Sequence, residues 1–216
     1  MSTPHVERPN LPEYMTWEEL ERLPDEIAGQ IELWDGRVVW VRRGPAEHQD
    51  CSVELRSALR RCARDHMSNH PEHCWRATTG TNVFFGATGK SDFVTPDFLV
   101  YHCLERRYQE IRATDVYIAG EVLSPSNTER DIEAKKTRYA GAGIPWYWEV
   151  LLGTERPISI VRAYALETGH GRLPAGVSPL RPANYVVAGE WASAQTDGIT
   201  FDFPFPIRIP WSELEF

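Results

Sequence analysis

After Pro71 the chain runs through four short apolar segments, CWRAT, NVFF, FLVYH and VYIAGEVL, each bounded by Gly, Pro or Thr. β-Branched and aromatic runs of this length between turn-forming residues predict strands, so a sheet is expected to form the middle of the molecule. Upstream, Asp35-Gly36 divides IELW from RVVW. An Asp-Gly step between two such runs is a strong hairpin signal, because both central residues of a type I′ turn need positive φ. Thr16 followed by WEEL offers an N-cap and a capping-box glutamate, which predicts a short helix ending before Pro24. From Pro45 to about His66, Val53, Leu55, Ala58, Leu59, Cys62 and Ala63 recur at helical spacing, with Arg56, Arg60, Arg61 and Arg64 mostly off that stripe. A second helix is predicted from about Asn127 to Ala142, ending near Gly143. WYWEVLL, ISIVRAY, YVVAGEW and ITFDFPFPIRI read as further strands around a Gly- and Pro-rich surface loop from about Glu167 to Arg181. Strands interleaved with helices place the chain in the α/β (α+β) class.

A length of 216 residues suits one full hydrophobic core and is short for two. Residues 1–15 are read as a mobile lead and 16–216 as a single domain. No segment approaches the run of about 20 apolar residues needed to span a bilayer. The first residues lack a basic cluster followed by an apolar stretch, so no signal peptide and a cytoplasmic location are expected. Cys51, Cys62, Cys74 and Cys103 are scattered without a C-x-x-C pair, which predicts reduced, structural thiols. The net charge of −8 argues against broad attraction to phosphate backbones, and so against a simple DNA-binding module. It leaves room for a nuclease, whose metal-binding carboxylates add negative charge.

Three features carry chemistry. Asp97 follows Pro96 at the mouth of the strand FLVY, where an aspartate serves either as a turn cap or as a metal ligand. Glu121 interrupts the apolar pattern VYIAG-VL, and burying a carboxylate is costly unless it is paired, hydrogen-bonded or metal-bound. On the following helix, Asp131, Lys135 and Tyr139 fall four residues apart and share a face, whereas Lys136 points about 100° away. Taken alone, that trio reads first as a solvated helix face with an acid–lysine pair. Its position just after Glu121 lets the helix lean over the carboxylates.

The succession ELWDG, EHQ, PDFLVY, EVLSPS, DIEAKKTRY and AGIPWYWEV, closed by FPFPIRIPWSEL, resembles the Uma-type putative restriction endonuclease family. That family is assigned to the PD-(D/E)XK nuclease superfamily. The resemblance implies a restriction endonuclease-like mixed β-sheet flanked by helices, with the hairpin at its N-terminal side and closing strands at its C-terminal side. It implies catalytic roles for Asp97, Glu121 and Lys135, with Asp97 and Glu121 as ligands of Mg²⁺ or Mn²⁺. One departure is plain: two residues after Glu121 stands Leu123, so the amine is supplied by Lys135 on the next helix. Glu32 and His48 also fall on motif positions as supporting residues, with Asp131 and Tyr139 expected to fix the lysine. Two carboxylates holding a hard cation beside water and phosphate suit phosphodiester hydrolysis, with DNA the expected substrate and a homodimer the expected way to cut two strands.

The segment His66, His70, His73 and Cys74 has zinc-like composition, but Pro71 interrupts it and a polar connector is the expected reading. Arg56, Arg60, Arg61, Arg64, Lys135, Lys136 and Arg138 would form one phosphate-facing surface if the two helices lay on the same side of the sheet; otherwise they are solvated faces. The exposed aromatics WYW and the C-terminal strands are the expected dimer contacts. The competing readings are a catalytically silent nucleic-acid-binding or protein-interaction module on the same fold, and a hydrolase of another phosphate ester.

Overall fold

The computed structural model describes residues 9–41, 44–123, 127–154, 157–168 and 183–216. Thr16 caps the helix α1 (Trp17–Leu20) through a full capping box with Glu19, and α2 (Asp25–Ala28) follows. The strands β1 (Ile31–Trp34) and β2 (Arg37–Trp40) form the predicted hairpin, with Asp35 and Gly36 at φ 52° and 81° as a type I′ turn requires. Then come α3 (Ala46–Asn69), β3 (Trp75–Thr79), β4 (Val83–Phe84), β5 (Phe93–Val94), β6 (Phe98–His102), β7 (Ile111–Arg112) and β8 (Val116–Leu123). The helix α4 (Glu129–Gly141) precedes β9 (Trp146–Leu152), β10 (Ile158–Glu167), β11 (Asn184–Ala192), β12 (Gly198–Phe201) and β13 (Ile207–Pro210).

The main sheet has six strands in the order β11-β10-β9-β8-β6-β3. Only β8 and β9 run parallel in it, and α4 is the crossover that parallel neighbours demand. A second sheet, β2-β1-β5-β4-β7, carries the hairpin, and β12 and β13 pair by themselves. Alternation along the strands sorts the core onto two faces. Phe98, Val100, Ile118, Val122, Trp148 and Val150 join Leu55, Leu59 and Cys62 of α3 on one side. Leu99, Ala119 and Tyr147 join Tyr139 of α4, with Val83 and Val94 of the second sheet, on the other. The sheet is therefore mixed and flanked by helices.

Several expectations need correcting. The two helices occupy opposite faces of the sheet, so the basic residues of α3 and α4 do not form one surface. Arg61 instead clamps Glu213 at 2.9 Å and donates to the Arg208 carbonyl, tying α3 to the C-terminal strands. Val53 is exposed, and Cys51, two residues before it, is buried instead. WYW is no exposed patch: β9 is central, and Tyr147 and Trp148 are fully buried. Cys74 and Cys103 form a disulfide, because they flank the register pair Trp75–His102 of β3 and β6 and their Cα atoms lie 5.3 Å apart. Strand pairing places together what sequence spacing kept 29 residues apart. Cys51 and Cys62 are free and buried, as expected. The short strands β5 and β7 and the helix α2 had no sequence signal long enough to register. Of the predicted lead, residues 1–8 lie outside the described residues, while Tyr14 bridges Arg37 and Met15 is buried. Most of the loop predicted near 167–181 also lies outside them; Glu167 itself ends β10.

Candidate active site

Register explains why the two acids meet. Phe98 of β6 pairs with Gly120 of β8, so Asp97 and Glu121, one step beyond on either strand, sit at the same end of the ladder. The pairing is close because Gly120 has no side chain; a Cβ there would overlap the Phe98 ring. The Val122 amide donates to Asp97 Oδ2 at 2.8 Å, fixing that carboxylate against the neighbouring strand. Glu32 enters from β1 and is fully buried. Its oxygens accept from the Thr95 amide and the Trp34 indole, both at 2.9 Å.

The helix α4 supplies the positive charge. Thr128 caps it by accepting from the Asp131 amide, and its hydroxyl donates to Asp131 Oδ2 at 2.6 Å. Lys135 donates to both oxygens of Glu121 at 3.0 and 3.1 Å and lies 3.2 Å from Glu32 Oε1. One turn on, the Tyr139 hydroxyl donates to Glu121 Oε1 at 2.5 Å. Tyr139 thus holds the glutamate and not the lysine, and Asp131, exposed, serves the helix cap and not Lys135. Lys136 points elsewhere, as the helical angle demands, and meets Glu149 at 2.8 Å.

His48, in the first turn of α3, places Nε2 3.1 Å from Asp97 Oδ2. The Gln49 carboxamide reaches its Nδ1 at 3.3 Å, which suits an imidazole that gives its Nε2 proton to the aspartate. Burial lowers the affinity of His48 for a second proton, but the Asp97 hydrogen bond and the Asp97 and Glu121 charges outweigh it and raise the pKa. Burial pushes Glu121 up to about 7; the Lys135 charge and the Tyr139 hydroxyl oppose this, while Asp97 and Glu32 reinforce it. For Lys135, burial is overcome by Glu121, Glu32 and Asp97, and the ammonium is held well above its ordinary range.

Glu32, His48, Asp97, Glu121, Asp131 and Lys135 line a cavity of about 1630 Å³ between the two sheets, and Tyr139 does not. Tyr147 also lines it, from β9, and its buried hydroxyl has no hydrogen-bond partner among the described residues. Neither Tyr147 nor Gln49 was singled out from sequence for the site: the first was read within WYW as an exposed contact, and the second was visible only as the last letter of EHQ. Among the described residues no group of three or more His, Cys, Asp or Glu is placed to hold a metal ion. The histidines at 66, 70 and 73 stack on one another, with ring centroids 4.4 to 5.8 Å apart. The site fits a hard divalent cation on different grounds. Magnesium is commonly held by one or two carboxylates with water and substrate phosphate completing the shell. Here three carboxylates, Glu121, Glu32 and Asp97, face one ammonium.

The family model described as Uma2, putative restriction endonuclease, matches residues 17–173, a span that holds all seven candidate residues. No curated protein matches. Among solved structures, the chain is similar to a putative nuclease belonging to DUF820 from Anabaena variabilis ATCC 29413, with a TM-score of 0.56 and 14% identity. The alignment covers 93% of this chain and 97% of that one. At that identity the likeness is one of fold.

Proposed function

Because the chain belongs to the Uma2 family of putative restriction endonucleases, we propose that it is a metal-dependent endonuclease that hydrolyses phosphodiester bonds in DNA. The observation that carries this reading is the meeting of Asp97, Glu121, Glu32 and Lys135 in one cavity, drawn from two strands, the residue before a third, and a helix. Asp97 and Glu121 would hold Mg²⁺ or Mn²⁺, which when bound supplies Lewis-acid polarisation of the phosphoryl group and lowers the pKa of a bound water. Lys135 orients the attacking water and offsets negative charge that develops on the phosphoryl oxygens. Glu32 and Tyr139 keep the ammonium and Glu121 in place, and His48 steadies Asp97. In this reading residues 16–216 act as one restriction endonuclease-like domain. Among the described residues no helix is long and apolar enough to cross a membrane. We place the protein in the cytoplasm. A second copy would supply the second site that a duplex cut needs, and a monomer mass by light scattering at micromolar concentration would exclude it.

The test is Mg²⁺ and Mn²⁺ calorimetry on the wild type, Asp97→Ala and Glu121→Ala, beside cleavage of plasmid and single-stranded DNA. Metal binding and cutting should both vanish in the two variants, while Lys135→Ala should lose cutting and keep the metal. A wild type that binds no metal even with DNA present would end the catalytic reading and leave the binding-module one.

A further inference from the structure

A second groove, of about 650 Å³, opens beside the cavity and shares Trp17, Gly80 and Asn82 with it. It runs along the β3–β6 edge under the connection between β6 and β7. Its walls carry Arg76, Lys90, Arg106 and Arg107 against Glu105 and Glu110. Lys90 is bound to Glu110 at 2.7 Å. Arg76, Arg106 and Arg107 are exposed and form no ion pair among the described residues. In a chain of net charge −8, this is a local reversal of sign at the door of the site.

Tyr108 stands at the lip of the same groove. It is 100% exposed and its backbone φ is +62°. A bulky L residue in the left-handed region is strained, and a fully exposed ring gains nothing from packing. Glycine would satisfy the turn better, so the fold gives no reason for tyrosine here. Strain kept at a groove lip beside free guanidinium groups points to a ligand with a flat face and phosphates.

We propose that this groove carries a single-stranded polynucleotide into the active site, with phosphates on Arg76, Arg106 and Arg107 and one base stacked on Tyr108. The proposal rests on the nuclease reading for its purpose, although binding in the groove needs no chemistry. A single strand is favoured over duplex because a lone aromatic can stack only on a base that has left its own stack. It is favoured over an acidic peptide because a carboxylate ligand would have no use for the Tyr108 ring.

The experiment is fluorescence anisotropy of labelled oligo-dT and oligo-U of about 15 nucleotides, with the full chain in EDTA so that nothing is cut. Tyr108→Ala should weaken binding roughly 5- to 150-fold, the range for losing one stacked base, and Tyr108→Phe should stay within about twofold of wild type. Changing Arg106 and Arg107 together to Gln should flatten the slope of log affinity against log salt by about 1.4, at about 0.7 per phosphate. Tyr108→Gly should bind as weakly as Tyr108→Ala while its Tm is no lower than wild type, which a merely structural tyrosine would not show. The relative affinities for oligo-dT and oligo-U identify the natural strand as DNA or RNA. Unchanged binding by Tyr108→Ala, equal affinity for duplex, or displacement by oligoglutamate would each overturn the groove. If Tyr108→Ala loses the oligonucleotide but the wild type cuts nothing with any divalent cation, the groove stands and the nuclease reading fails. If the wild type cuts but its binding ignores Tyr108, the nuclease reading stands and the groove fails.

Discussion

Replacing Lys135 with Met keeps most of the side-chain stem and removes only the charge. Glu121 and Glu32 would then face each other from positions 8% and 0% exposed, with no cation between them. Removing one partner from a buried ion pair costs about 3–5 kcal/mol, because the remaining charge stays desolvated. Protonation offers one relief. Glu121 already titrates near 7 in the folded protein, above its ordinary value of 4.5, so it binds a proton more readily folded than unfolded. Its contribution to stability is present below the unfolded pKa and is lost as pH rises through about 7. Without Lys135 the folded pKa rises further, so the loss should be larger at pH 8 than at pH 6 by up to about 1.4 kcal/mol, the linkage limit for one proton that the wild type releases around pH 7. Urea unfolding followed by tryptophan fluorescence, in EDTA at both pH values, measures this. If Asp97 and Glu121 also hold a divalent cation, Mn²⁺ at about 100 times its Kd should return about 2.7 kcal/mol. A loss under about 1 kcal/mol that is equal at the two pH values would show that Lys135 compensates no buried charge.

Tyr139→Phe should cost about 1.5–3 kcal/mol, the worth of a hydrogen bond to a charged group, and reduce cutting without loss of the helix in circular dichroism. Gly120→Ala should destabilise by about 1–3 kcal/mol in urea melts, since the new methyl must displace the Phe98 ring beside Asp97. Cys51, pushed up to about 12 by burial with the Asp97 charge adding, should not react with a disulfide reagent at pH 8 until the protein unfolds. Reducing Cys74–Cys103, which closes a loop of separation 29, should lower stability by roughly 3–4 kcal/mol in matched melts. In a Lys135→Met background, Leu123→Lys should recover part of the stability at pH 8, because residue 123 lies on the Glu121 face of β8; no recovery would place that side chain out of reach.

The sequence made the strands and both long helices visible because each repeats its period over several residues. The two-residue strands β5 and β7 have no period to read and no turn signal of their own, and they exist only through the partners that pair with them. Asp97 and Glu121 were legible one at a time, as acids at the margin of apolar runs. Their meeting depends on the Phe98–Gly120 register, which no local pattern encodes. The same limit explains Cys74 and Cys103. Roles were harder still: helical spacing put Tyr139 on the Lys135 face, but only the packed helix shows that its hydroxyl reaches the glutamate. Tyr147 was hidden because it is core, fully buried and ringed by Tyr139, Tyr164 and Tyr185.

The position of the amine makes this site dependent on the docking of one helix. Leu123 occupies the place where a strand lysine would have been fixed by the sheet ladder itself, and it lines the cavity without charge. On α4, by contrast, the ammonium is only as well placed as the helix. Successive helical residues turn by about 100°, so neighbouring cations can grip different partners. Lys136 binds Glu149 on β9, while Arg138 binds Asp35 in the hairpin turn and Asp92 beside β5. Those pairs tie α4 to both sheets, and Lys135 lies just before them on the same helix. Its ammonium is thereby held against Glu121 and Glu32 by contacts that never touch the cavity. A complete site of this kind needs the two sheets and the crossover helix together, because Glu32, Glu121 and Lys135 come from one of each.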